Sequence, residues 1–199
     1  VFMNQKIMLL LITGISISIA NAQTVRLLNS GSKASFRGLS VVTDKVVWVS
    51  GTGGTVGRSG DGGETWTLMT VKGFEKTDFR DIEAFDEKTA VIMGIAEPAY
   101  ILKTTDGGAN WNVVFNDSTK GMFLDAMDFW DDKRGVVIGD PINGRIFLAQ
   151  TFDGGDNWRE MKTNTFAIDS GEACFASSGT NIRKINYIAN VYVTGGKAA

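Results

Sequence analysis

The chain has 199 residues, 22 acidic against 20 basic side chains and a formal net charge of −2. Its one cysteine, Cys174, rules out an internal disulfide framework in this sequence, and the absence of histidine removes Ser-His-Asp and Cys-His catalysis and the commonest transition-metal ligand. A chain without a basic surplus is a poor nucleic-acid binder.

The first predicted element is a targeting segment. Lys6 gives a positive start, Ile7 to Ile19 is an apolar run, and Ala20-Asn21-Ala22 is a small-residue cleavage pattern. Residues 1–22 therefore read as a signal peptide, with the mature chain starting at Gln23 and destined for the periplasm or secretion. The apolar run is short for a membrane span and no second one follows, so no transmembrane span is expected after cleavage.

Thr24 to Leu28 comes next and reads as a lone β-strand. From there a motif recurs three times: Ser59-Gly-Asp61-Gly-Gly63-Glu-Thr65-Trp66, Thr104-Thr-Asp106-Gly-Gly108-Ala-Asn110-Trp111 and Thr151-Phe-Asp153-Gly-Gly155-Asp-Asn157-Trp158. The aspartates stand 45 and 47 residues apart, a period that suits propeller blades. Each unit follows one grammar. A first strand starts at an aromatic (Phe36, Phe79, Phe123). The second is an apolar run ending in glycine (Gly51, Gly94, Gly139). The third leads into the motif, and the fourth starts at its tryptophan. This predicts an all-β chain of four-stranded antiparallel blades at about 36–71, 79–115 and 123–162, with a partial blade over 171–199. In that last blade Gly171 to Ala176 reads as the first strand and Ile188 to Gly195 as the second. The glycine-to-aspartate spacing places the next motif aspartate beyond Ala199. Residues 23–199 thus read as part of a longer ring. Residues 24–28 are the expected outer strand of its last blade, whose other strands come from missing C-terminal blades or a second chain.

The motif has a physical logic of its own. An aspartate on a hairpin can accept the N–H groups of its own turn. The glycine pair supplies positive φ, and the tryptophan buries its ring between sheets. Asp61, Asp106 and Asp153, with Gly63, Gly108, Gly155 and the three tryptophans, are accordingly read as structural. A calcium loop would need oxygen ligands at alternate positions, and these do not recur. No metal or cofactor is expected. Gly51 to Gly57 looks like a phosphate loop but no helix pattern follows it. Cys174 reads as a buried, inert thiol.

These motifs resemble those of the Asp-box, or BNR-repeat, β-propellers over about residues 24–199. Within them, the second-strand glycine and the Thr-x-Asp-Gly-Gly-x-x-Trp form look most like the photosystem II assembly/stability factor-like bacterial proteins, which are often loosely labelled oxidoreductases. The resemblance implies seven blades, secretion, no visible cofactor site, and partner binding of the assembly-factor kind. In such a propeller the Asp boxes lie away from the channel mouth, and the mouth loops carry function. The candidate binding residues there are Arg37, Arg80, Asp81, Glu97, Asp125, Asp140, Arg145 and Glu172. Arg37 and Arg80 read as equivalent positions, as do Asp81 and Asp125. The expected function is non-catalytic binding of a protein or glycan. The alternative is a glycoside hydrolase, sialidase-like or β-glucan-cleaving, with Asp81 and Asp125 as its carboxyl pair. Against a sialidase, Leu124 stands where a third arginine is needed.

Overall fold

A computed structural model describes residues 25–95, 97–162, 168, 171–175, 179–186 and 189–196; the expected signal peptide lies outside them. The described chain is all β. The first blade contains β1 (Phe36–Val41), β2 (Val47–Gly51), β3 (Thr55–Ser59) and β4 (Thr67–Thr70). The second contains β5 (Phe79–Ala84), β6 (Ala90–Gly94), β7 (Ala99–Thr104) and β8 (Asn112–Asp117). The third contains β9 (Leu124–Phe129), β10 (Gly135–Ile142), β11 (Arg145–Thr151) and β12 (Arg159–Glu160). Each is an antiparallel sheet with strands in chain order, as expected of propeller blades. No described helix is long and apolar enough to cross a membrane.

The middle strands carry near-continuous apolar runs because both of their faces are covered. The core therefore lies between blades rather than within one. Trp48, Val56, Phe79, Ile82 and Ile92 fill the first junction. Met93, Ile101, Leu124, Met127 and Phe147 fill the second. Ile138, Ile146, Leu148, Cys174 and Ile182 fill the third. Inner strands approach closely at Gly38: a Cβ there would stand 2.4 Å from Ser50 Oγ and 2.9 Å from the Asp81 carbonyl carbon and the Ile82 nitrogen.

The repeated motif closes each β3–β4-type hairpin with one bonding scheme. Asp61 Oδ1 accepts the Ser59 hydroxyl at 2.8 Å and the Thr65 N–H at 2.9 Å, while Ser59 Oγ accepts the Gly63 N–H at 2.8 Å. Thr104, Asp106, Gly108 and Asn110 repeat it, as do Thr151, Asp153, Gly155 and Asn157. Gly62 and Gly63 sit at φ 74° and 91°, where a side chain would be strained. Hydrogen bonds led by that of the Thr65 hydroxyl hold Asp61 down at about 2. The half-buried tryptophans sit in the junction on the N-terminal side of their blade. Trp111 packs on the first junction and Trp158 on the second.

By that rule Trp66 faces the outer side of the first blade, and the N-terminal segment lies beside it. Leu28 stands against Gly63 as Met69 stands against Gly108: a Cβ on either glycine would meet the leucine or methionine side chain within 2.8 Å. Arg26 pairs with Glu64 of the first hairpin, and Lys103 pairs with Asp156, its counterpart in the third, at 2.9 Å. Residues 25–28 join no strand among the described residues, and Val25 and Leu27 are 95% and 97% exposed.

The fourth blade departs from the expected position of its first strand, while its second falls within the expected Ile188 to Gly195. Ala173 bridges Gly195, the counterpart of Leu124 opposite Gly139 in the third blade. The ladder resumes only at β13 (Ile182–Asn186), paired with β14 (Ala189–Tyr192). Of the expected first strand, Gly171 to Ala176, Ala173 is the one residue that pairs among the described residues, and Ala176 lies outside them. Gly179 lies over the Asp81 carboxylate, with a Cβ there 3.2 Å from its oxygens.

Candidate functional site

The mouth face is built by the loops that enter each inner strand and by the β2–β3-type turns. Two cavities lie there side by side. One, of about 340 Å³, is lined by Lys76, Thr77, Asp78, Ile95, Pro98 and Tyr100 together with Glu97. The other, of about 570 Å³, is lined by Gly121, Asp140, Pro141, Gly144, Ile168 and Glu172, among others. Glu97 joins them: it lines the first, and its Oε1 accepts the N–H of Gly121, which lines the second. That hydrogen bond stands between a cavity on the second blade and one lined by residues of the third and fourth.

Three of the sequence-derived candidates line these cavities: Glu97 the first, Asp140 and Glu172 the second. Arg145 does not; it borders a separate cavity of about 470 Å³ with Ile142, Glu160 and Lys162.

The register corrects the pairing of the others. Phe36 faces Gly51, Phe79 faces Gly94 and Leu124 faces Gly139. The third inner strand therefore begins at Leu124, not Phe123, whose carbonyl instead accepts the Asp140 N–H at 2.8 Å. Asp125 is then the counterpart of Arg37 and Arg80, not of Asp81. Each of these three is the extra residue of a β-bulge at the start of its strand, a place where bulges re-aim side chains. Arg37 is exposed, Arg80 half-buried and Asp125 fully buried. Ala126 occupies the place of Asp81 in the third blade.

Asp125 instead meets Asp140 and Cys174, with one ligand-type atom from each all within 4.8 Å of one another. Asp140 accepts the Cys174 N–H at 2.9 Å, and burial raises its carboxyl above the usual range. Burial, reinforced by the two carboxylates, pushes the Cys174 thiol up to about 12. An unactivated thiol of this kind is no nucleophile.

Asp81 is 7% exposed and is tied to backbone: it accepts the Ile82 N–H at 2.9 Å and the Met127 N–H of the next blade at 2.8 Å. Burial pushes it up to about 7. Sequence reasoning passed over its neighbours, Glu83 on β5 and Asp128 on β9. Burial, then Asp81 and Asp128, push Glu83 to about 8. The Asp81-x-Glu83 spacing was a usable signal, since residues i and i+2 of a strand share a face.

The family model for photosynthesis system II assembly factor YCF48 matches residues 19–121, about half of the chain. A solved structure of YCF48 bound to D1 peptide is similar at 23% identity and a TM-score of 0.55, covering 72% of this chain and 44% of that one. YCF48 from Cyanidioschyzon merolae is similar at 20% identity and a TM-score of 0.50, covering 67% and 39%. The GH74 enzyme of Niastella koreensis is similar at 19% identity and a TM-score of 0.50, covering 73% and 24%. This chain thus spans less than half the length of either YCF48 structure, and the likenesses to solved structures speak for the fold. No curated protein matches it. With a matching model across half its length, the chain belongs to the family of photosynthesis system II assembly factor YCF48.

Proposed function

We propose that this chain is part of an exported, non-catalytic propeller that binds an extended peptide segment of a protein partner along the mouth cavities. The placement of two open cavities on either side of the Glu97–Gly121 hydrogen bond carries the reading. Neighbouring cavities lined by Tyr100, Pro98, Pro141 and Ile168 and fringed by carboxylates suit an extended chain better than a compact ligand. Family membership supports a protein partner, because a YCF48 structure holds a D1 peptide. The glycosidase alternative gains nothing: Asp81 and Asp125 are 7% and 0% exposed, and two carboxyls must reach a sugar for that chemistry.

Binding is tested by fluorescence polarisation with the D1 peptide as probe. Saturable binding is expected, weakened on the order of tenfold, about 1.4 kcal/mol, by Tyr100→Ala. Absence of saturable binding, or equal affinity in the variant, overturns the reading. Export rests on Lys6, the apolar run and Ala20-Asn21-Ala22. N-terminal sequencing of the protein from the periplasm should begin at Gln23, and an intact first residue would count against it.

A further inference from the structure

We propose that Asp81, Glu83 and Asp128, gathered with Arg183 and Lys184 where β5, β9 and β13 meet, form a proton-operated latch that holds the inner strand of the fourth blade against the second and third.

The contacts run across blades. Asp81 accepts the Met127 N–H at 2.8 Å, linking β5 to β9. Asp128 accepts the Phe129 N–H at 2.9 Å through Oδ1 and the Lys184 N–H at 2.7 Å through Oδ2, linking β9 to β13. Arg183 stands 3.9 Å from that same Oδ2, and the Lys184 ammonium donates to the Phe129 carbonyl at 2.7 Å. Gly179, just before β13, covers the Asp81 carboxylate. The charge balance is uneven: three carboxyls face two cations.

Among the described residues, the other elements packed against the cluster bring hydroxyl and apolar side chains to it. From β1 and β2 come the hydroxyls of Ser40, which accepts the Ala84 N–H, and Ser50, which donates to the Phe79 and Asp81 carbonyls. The charged residue of β1, Arg37, is exposed. On β6, Met93 and Val91 stand opposite Asp81 and Glu83, and on β10 Val136 stands opposite Asp128.

Ionising Asp81 and Glu83 together therefore adds buried charge that only Arg183 and Lys184 offset, and water must enter to relieve it. The element that reports the latch is β13, whose Lys184 N–H is held by Asp128 Oδ2 and whose Lys184 ammonium is held by the Phe129 carbonyl of β9. The direction of the pH effect follows. Burial raises Asp81 to about 7 and Glu83 to about 8. The closed state therefore keeps protons that an open state releases near the ordinary carboxyl range. The latch is firmest at acid pH and weakens as pH rises to about 7 and then 8.

Hydrogen exchange of the whole chain from pH 5.5 to 8.5, corrected for the intrinsic rate, reads the latch at Arg183 to Asn186, with β6 and β7 as reference. Protection of β13 relative to the reference should fall on the order of tenfold per ionised group and pH unit. Asp81→Asn with Glu83→Gln should flatten that fall. Arg183→Gln, which removes the cation that favours the ionised forms, should move its midpoint to higher pH and serves if the double variant does not fold. Flat relative protection in the wild type, an unchanged slope in the double variant, or an unmoved midpoint in Arg183→Gln overturns the proposal.

Discussion

Replacing Thr104 by valine tests whether the repeated hairpins hold the fold together. The side chain is wholly buried, and its Oγ1 accepts the N–H of Gly108, itself buried, at 3.0 Å while donating to Asp106 at 2.9 Å. Valine keeps the shape and removes the acceptor. Asp106 retains the backbone and side-chain donors of Asn110 at 2.9 and 2.8 Å, so its loss is small. The Gly108 N–H is left in a dry site beside Met69 and Trp48. An orphaned buried donor costs about 1–3 kcal/mol, and for a chain of this size each kcal/mol lowers Tm by about 2–4 °C. Equilibrium urea unfolding should show a lower midpoint at unchanged slope, and Thr104→Ser, which keeps the hydroxyl, should stay near wild type. A Thr104→Val variant within about 0.5 kcal/mol of wild type would refute the claim that the hydroxyl organises the turn.

Three further outcomes follow from the same geometry. Gly38→Ala should cost about 1–3 kcal/mol, because the new methyl meets Ser50 and the β5 backbone at 2.4–2.9 Å; unchanged urea stability would show that the inner strands part freely. Native Cys174 should react with iodoacetamide at pH 8 on the order of a thousandfold more slowly than the unfolded chain, its thiol being held near 12 by burial and the two nearby carboxylates; equal rates would contradict that burial. We also expect the face bearing Leu39, Val41 and Leu68, which are 64%, 63% and 39% exposed, to be covered by a further blade that takes residues 25–28 as its outer strand, supplied by the rest of a longer chain or by a second chain. Leu39→Lys should then destabilise the closed assembly by about 1.5–3 kcal/mol, and no loss in its thermal melt would mean an open face.

Much of the fold was legible because it repeats. Three copies of a hairpin motif fix the blade period, and the apolar runs that end in Gly51, Gly94 and Gly139 mark strands covered on both sides. The mouth was less legible, because its placement turns on single-residue register. Aligning Phe123 with Phe79 makes Asp125 the partner of Asp81, yet the ladder pairs Leu124 with Gly139. That shift of one residue sends Asp125 to the bulge position of Arg37 and Arg80. Aromatic identity misled here because what fixes register is the backbone pairing of the strand-two glycine, which takes Leu124 and not Phe123 as its partner.

In the fourth blade the second strand was legible, with β14 inside the expected Ile188 to Gly195, and the first was not. The pairing of the first is split between Ala173 and β13, and a sequence window sees two apolar pieces, one at Cys174 and one at Ile182, without any mark of which joins the ladder. That split nevertheless has a consequence that links the site to the fold. By carrying Gly179 onto the Asp81 carboxylate, it closes from solvent a group that the sequence placed among exposed mouth charges. Asp81 changes thereby from a candidate ligand contact into a buried junction between blades. On the reading proposed above, the cavities beside Glu97 and Gly121 are the face left for a partner, and the acid cluster at the blade junctions sets how firmly the blades are held together.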